Sequence, residues 1–179
     1  SCSVFLVKEP GTLKQTCSHN NSAHYLLHEG AAETDLGRIS LQCARRVDAL
    51  KLWLSWRAIG NKGWENMVDN YVELANHLTS LIQETSDIHL VCEPQFTNIC
   101  IRFERENISP KTVDKITNRI RDELIQNGKF MITKSMINGR PILRPVIANP
   151  SVDRESLNLL VSDIQKIGNE LASNSKDLE

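Results

Sequence analysis

Pro141-Ile142-Leu143-Arg144-Pro145-Val146-Ile147-Ala148-Asn149-Pro150 is the stretch that decides how the second half of this chain folds. Ile142, Leu143, Val146 and Ile147 form a short apolar run bounded by prolines, the pattern of a strand over 142–147. Upstream of it, Phe130–Thr133 reads as a second strand, and Asn127-Gly128 as the stop of the helix before that. Ser109-Pro110 starts this helix with a capping serine and a proline at the first helical position. Val113, Ile116, Ile120 and Leu124 give it one apolar face. Further upstream, Ile88–Cys92 reads as a strand, and Ile99, Ile101 and Phe103 alternate with Cys100 and Arg102 in another. Downstream, Pro150-Ser151 opens a last helix that turns Leu157, Leu160, Val161, Ile164, Ile167 and Leu171 inward, and the tail from Ala172 is polar. Strand, strand, helix, strand, strand, helix predicts a small α+β domain, with helices on one face of a mostly antiparallel sheet.

The first half is read differently. Leu41–Ile59 carries Val47, Leu50, Trp53, Leu54 and Ile59 at helical spacing, and it is apolar enough to predict a well-buried helix. Gly60 and Gly63 break it. A second amphipathic helix follows from Trp64 to about Gln83, through Met67, Tyr71, Ala75, Leu78 and Ile82. Two long helices with a short joint fit a connection between domains. Before them, Ser3–Val7 reads as a strand, and residues 16–40 as a long polar loop, either a lid over a site or a surface excursion. The chain opens on Ser1 and runs directly into that strand, which reads as an interior piece of a longer protein.

Composition narrows the function classes. The 179 residues are 40% hydrophobic and 24% charged, with net charge -1. Neither a nucleic-acid footprint nor a polybasic membrane patch is present, and no apolar run approaches the ~20 residues of a membrane span. Five scattered cysteines, with no Cys-x-x-Cys pair, read as reduced thiols of a cytoplasmic protein.

Three of the five histidines (His19, His24 and His28) fall in the polar loop with Glu29, Glu33 and Asp35 behind them. His24 and His28 would converge on a metal only on a helix, so solvated loop histidines and no metal site are expected. No phosphate loop, nucleophile elbow or dinucleotide fingerprint occurs. Arg144 stands out, because an arginine within an apolar strand is costly to bury unless its guanidinium meets an anion such as a carboxylate. The other reading is an edge strand, marked by Pro145, from which Arg144 reaches solvent.

Three stretches carry a resemblance. Leu41-Gln42-Cys43-Ala44-Arg45-Arg46-Val47-Asp48-Ala49-Leu50-Lys51-Leu52-Trp53, followed by Trp56-Arg57-Ala58 and Gly60-x-x-Gly63, resembles the helix pair of the group II pyridoxal-phosphate-dependent amino acid decarboxylases. That family includes glutamate, cysteine-sulfinate, aromatic amino acid and diaminobutyrate decarboxylases. Pro94-Gln95-Phe96-Thr97-Asn98-Ile99-Cys100 is similar to the start of their small domain, and Leu143–Pro150 to their last strand, above all in the glutamate decarboxylase branch.

The resemblance implies the α/β aspartate aminotransferase-like fold, fold type I of the pyridoxal 5'-phosphate enzymes. Residues 1–59 would end the large cofactor domain with a mobile loop at about 18–36. Residues 60–85 would connect, and 86–179 would form the small carboxy-terminal domain. It also implies a homodimer, an amino acid substrate, and Arg144 as the group that binds the substrate carboxylate. The family's Schiff-base lysine sits in a His-Lys dipeptide. No histidine precedes a lysine here, so that lysine is expected upstream of Ser1, no catalytic residue is assigned, and the fragment alone is expected to be inert. Many animal members carry a loop tyrosine that protonates the reaction intermediate. None lies between His28 and Gln42; a loop histidine such as His28 is the mobile-loop candidate to substitute for it. The expected activity is α-decarboxylation of an acidic amino acid such as glutamate, aspartate or cysteine sulfinate. 2,4-Diaminobutyrate decarboxylation, a non-catalytic truncated or dimerisation module, and a fold-related lyase or aminotransferase remain the alternatives.

Overall fold

The computed structural model describes residues 4–17, 40 and 46–174. The chain divides into two compact units, residues 1–61 and 62–179.

In the first unit, Val4–Val7 is exposed and forms no strand, contrary to the sequence expectation. A strand needs a neighbour to accept its ladder bonds, and none pairs with it among the described residues. The short helix α1 (Thr12–Cys17) follows. Helix α2 (Asp48–Gln83) then runs through both sequence-expected helices, and only Gly60 departs from helical dihedrals (φ 74°, ψ 168°). That region is open only to glycine, so the joint contracts to one residue. Trp56 Nε1 donates to Asn61 Oδ1 across it (2.6 Å). The expected burial of the first helix is not met within this chain, since Val47, Leu50, Trp53, Leu54, Trp56 and Ile59 are all exposed.

The second unit closes on itself. The remaining turns of α2 bury Leu74, Ala75, Leu78 and Ile82. Four strands follow as β1 (Ile88–Leu90), β2 (Ile101–Phe103), β3 (Thr133–Ile137) and β4 (Arg140–Arg144), in sheet order β1-β2-β4-β3 with every pair antiparallel. Helix α3 (Pro110–Gln126) lies between β2 and β3, and helix α4 (Arg154–Ser173) follows β4. Ile101, Phe103 and Leu143 share one core with Ile116, Ile120, Leu124, Leu160 and Ile164, so α3 and α4 cover the same face of the sheet. This is the expected strand–strand–helix–strand–strand–helix order.

β1 and β2 are shorter than expected, and the boundaries around α4, β3 and β4 differ. α3 starts as read, with Ser109 Oγ accepting from Thr112 N (3.2 Å), and Asn127 caps its end. α4 starts later than Pro150-Ser151, because Asp153 is the residue that caps it, accepting from Ser156 N (2.8 Å). The strand expected at Phe130–Thr133 instead begins at Thr133, and β4 begins at Arg140, before Ile142. Asn138 (φ 52°) and Gly139 (φ 75°) explain both shifts. They form a two-residue hairpin turn with both central residues left-handed, and Ile137 pairs with Arg140 across it.

Candidate functional site

The register of the sheet assembles a row of side chains around Arg144. β4 turns Leu143 into the core opposite Ile101, so Arg144 must point to the face away from the helices. Thr133 is its direct partner on β3. On the other side, the Ile101–Leu143 pairing, extended by the Asn98–Val146 bridge, sets Cys100 opposite Arg144. Thr133, Arg144 and Cys100 therefore lie in line across three strands. Apolar pattern alone does not single out Thr133, because its place beside Arg144 follows from the register that the Asn138-Gly139 turn fixes.

Contacts within the row are specific. The Thr133 hydroxyl donates to the Arg144 carbonyl oxygen (2.9 Å) and accepts from Arg144 Nε (3.3 Å). Arg144 is half-buried, and among the described residues no carboxylate lies within ion-pair distance of it. This sets it apart from Arg102, also on this face, whose Nε donates to the Pro141 carbonyl (3.0 Å) and whose Nη1 meets Glu104 Oε1 (3.1 Å). Burial pushes the Cys100 thiol up from its ordinary pKa, and its hydrogen bond with Cys92 adds to that. The positive charge of Arg144 pulls the other way. A cleft of about 420 Å³ lies between this end of the sheet and α4, lined among others by Phe130, Thr133, Arg144 and Asn149 and by Ser156 and Leu157 of α4. Lys129, also on this wall, pairs with Asp163 (3.4 Å).

His19, His24 and His28 lie outside the described residues. His77 is held by Asn158 (2.9 Å). Among the described residues no group of three or more histidine, cysteine, aspartate or glutamate side chains could hold a metal ion, and no helix is long and apolar enough to cross a membrane.

A pyridoxal cofactor needs a lysine amine held in a closed site. Every lysine among the described residues is exposed in this chain. What the described residues do furnish is a half-buried guanidinium, with no carboxylate partner among them, on a paired strand.

Residues 1–104, more than half of the chain, match the model of the pyridoxal-dependent decarboxylase conserved domain. Over 95% of its length the chain is 29% identical to cysteine sulfinic acid decarboxylase of Homo sapiens, of which it covers 37%. It is 27% identical to the acidic amino acid decarboxylase of Mus musculus, of which it covers 33%. The crystal structure of mouse CSAD in apo form superposes on 90% of the chain with a TM-score of 0.73 and 26% identity, covering 35% of that structure. The chain thus spans about a third of the length of the curated relatives it matches.

Proposed function

This chain belongs to the pyridoxal-dependent decarboxylase family, and from that premise we propose that it is the carboxy-terminal part of a pyridoxal-phosphate-dependent amino acid decarboxylase. Residues 1–59 complete the large cofactor domain, residues 60–85 connect, and residues 86–179 form the small domain. The working enzyme is a homodimer, and its substrate is an acidic amino acid such as cysteine sulfinate, aspartate or glutamate. The names of the relatives favour that substrate class.

One observation carries the site. Arg144 is a half-buried guanidinium without a carboxylate partner among the described residues, fixed on β4 at the wall of a cleft. A charge-assisted pair with a carboxylate satisfies its free donors and orients a bound amino acid. Such a bond is worth more than a neutral one because the charged partner is partly withdrawn from water. The role of Arg144 is therefore to hold a substrate carboxylate in place while the cofactor, bound by residues other than those described, does its chemistry.

The test is carbon dioxide release by the full-length protein from L-cysteine sulfinate, L-aspartate, L-glutamate and L-2,4-diaminobutyrate, with and without Arg144→Ala. At least one acidic substrate should turn over. The variant should lose about a hundredfold in kcat/KM, the size of about 2.7 kcal/mol, with an unchanged circular dichroism spectrum. Turnover of L-2,4-diaminobutyrate alone would move the assignment to the diaminobutyrate branch. Wild-type turnover by Arg144→Ala would remove Arg144 from the site.

A further inference from the structure

We propose that Thr133 is the positioning residue of Arg144, holding Nε so that the two terminal nitrogens of the guanidinium meet the substrate carboxylate end-on. The inference rests on the reading of Arg144 as the carboxylate-binding group, and adds to it a second residue and a direction of approach.

A threonine hydroxyl has one proton and two acceptor lone pairs. Here the proton is committed to the Arg144 carbonyl oxygen at 2.9 Å, which fixes the hydroxyl rotor. A lone pair is thereby turned toward Arg144 Nε at 3.3 Å. The two bonds join the backbone and the side chain of one residue through a single oxygen atom. Threonine is also stiff about χ1, since its β-branch restricts rotation, and the Thr133–Arg144 strand pairing holds its backbone. The flexible side chain of Arg144 is consequently tethered at the nitrogen nearest its stem.

The consequence is geometric. A guanidinium can receive a carboxylate side-on, through Nε and one terminal nitrogen, or end-on, through both terminal nitrogens. With Nε–H engaged by Thr133, end-on approach uses both remaining nitrogens without breaking a bond already made. On the other flank of Arg144, across the β2–β4 register, stands the buried Cys100, which offers no carboxylate to compete for those donors.

The experiment compares Thr133→Val, which keeps the shape and deletes the hydroxyl, Thr133→Ser, which keeps the hydroxyl, and Arg144→Ala. All are made in the full-length protein loaded with pyridoxal phosphate. KM and kcat are measured with whichever of L-cysteine sulfinate, L-aspartate and L-glutamate the wild type decarboxylates, and thermal midpoints are recorded alongside. The proposal expects Thr133→Val to raise KM about three- to tenfold, as the loss of one hydrogen bond of typical net strength does, with kcat changed less than about twofold. Thr133→Ser should return KM to within about twofold of wild type. Wild-type kinetics in Thr133→Val beside an inactive Arg144→Ala would overturn this role and leave the reading of Arg144 standing. A Thr133→Val loss that Thr133→Ser does not rescue, or one that falls on kcat alone, would overturn it as well. Full activity in Arg144→Ala would sink both.

Discussion

Two arginines on one face of the sheet show how the same side chain serves different ends. Arg102 is 7% exposed, and its donors are used by the Pro141 carbonyl and by Glu104, which Arg140 also approaches (3.6 Å) while pairing with Asp114 (2.9 Å). Its work is done inside the fold. Arg144 lies one strand away, tethered at Nε and offering its other nitrogens. Their substitutions should therefore separate stability from activity. Arg102→Ala leaves a void and an unpaired carbonyl, and should lower unfolding free energy by about 2–3 kcal/mol in urea titrations. Arg144→Ala should lower it by less than about 1 kcal/mol. Equal losses would mean that Arg144 too is structural. The sequence pointed to Arg144, because an arginine in an apolar run is conspicuous. It did not reveal the burial of Arg102, since Ile101-Arg102-Phe103 alternates like a strand with one wet face, whereas β2 is an interior strand with all three residues buried.

At the scale of elements, capping and periodicity made α3 legible, because a local pattern dictates it. Ser109, Pro110 and Asn127 are where the sequence places them. The β3–β4 hairpin is not legible from apolar residues alone, because β3 is a largely exposed strand of Thr133-Lys134-Ser135-Met136-Ile137. Its register comes from the turn. Gly139 sits at φ 75° with nothing near a would-be Cβ, so substitution there strains only the backbone. Gly139→Val should cost about 1–2 kcal/mol from the left-handed conformation and the β-branch. It should also raise KM in the direction of Thr133→Val, since a slip of one residue turns Thr133 to the other face. Loss of stability with an unchanged KM would show that the row at Arg144 does not depend on this turn.

At the scale of the molecule, the two units differ in how much of their burial this chain supplies. Residues 62–179 enclose a core in which Leu78, Ile101, Phe103, Ile116 and Ile164 are fully buried. Gly168 packs so closely on the Phe103 ring that a Cβ would overlap it. Residues 1–61 instead expose Phe5, Leu6, Trp53, Leu54 and Trp56, and that much apolar surface calls for a covering partner. The sequence expected burial of the α2 amino-terminal half from its composition. Composition reports that a face needs cover and not which chain segment provides it. The same division runs through the chemistry, since the described residues hold the proposed carboxylate-binding group, Arg144, while every one of their lysines is exposed. Borohydride reduction of the full-length protein, followed by peptide mapping of the pyridoxyl label, tests this account most directly. The account predicts one labelled lysine, located outside residues 1–179. A protein that takes no label, or a label on a lysine within residues 1–179, would contradict it.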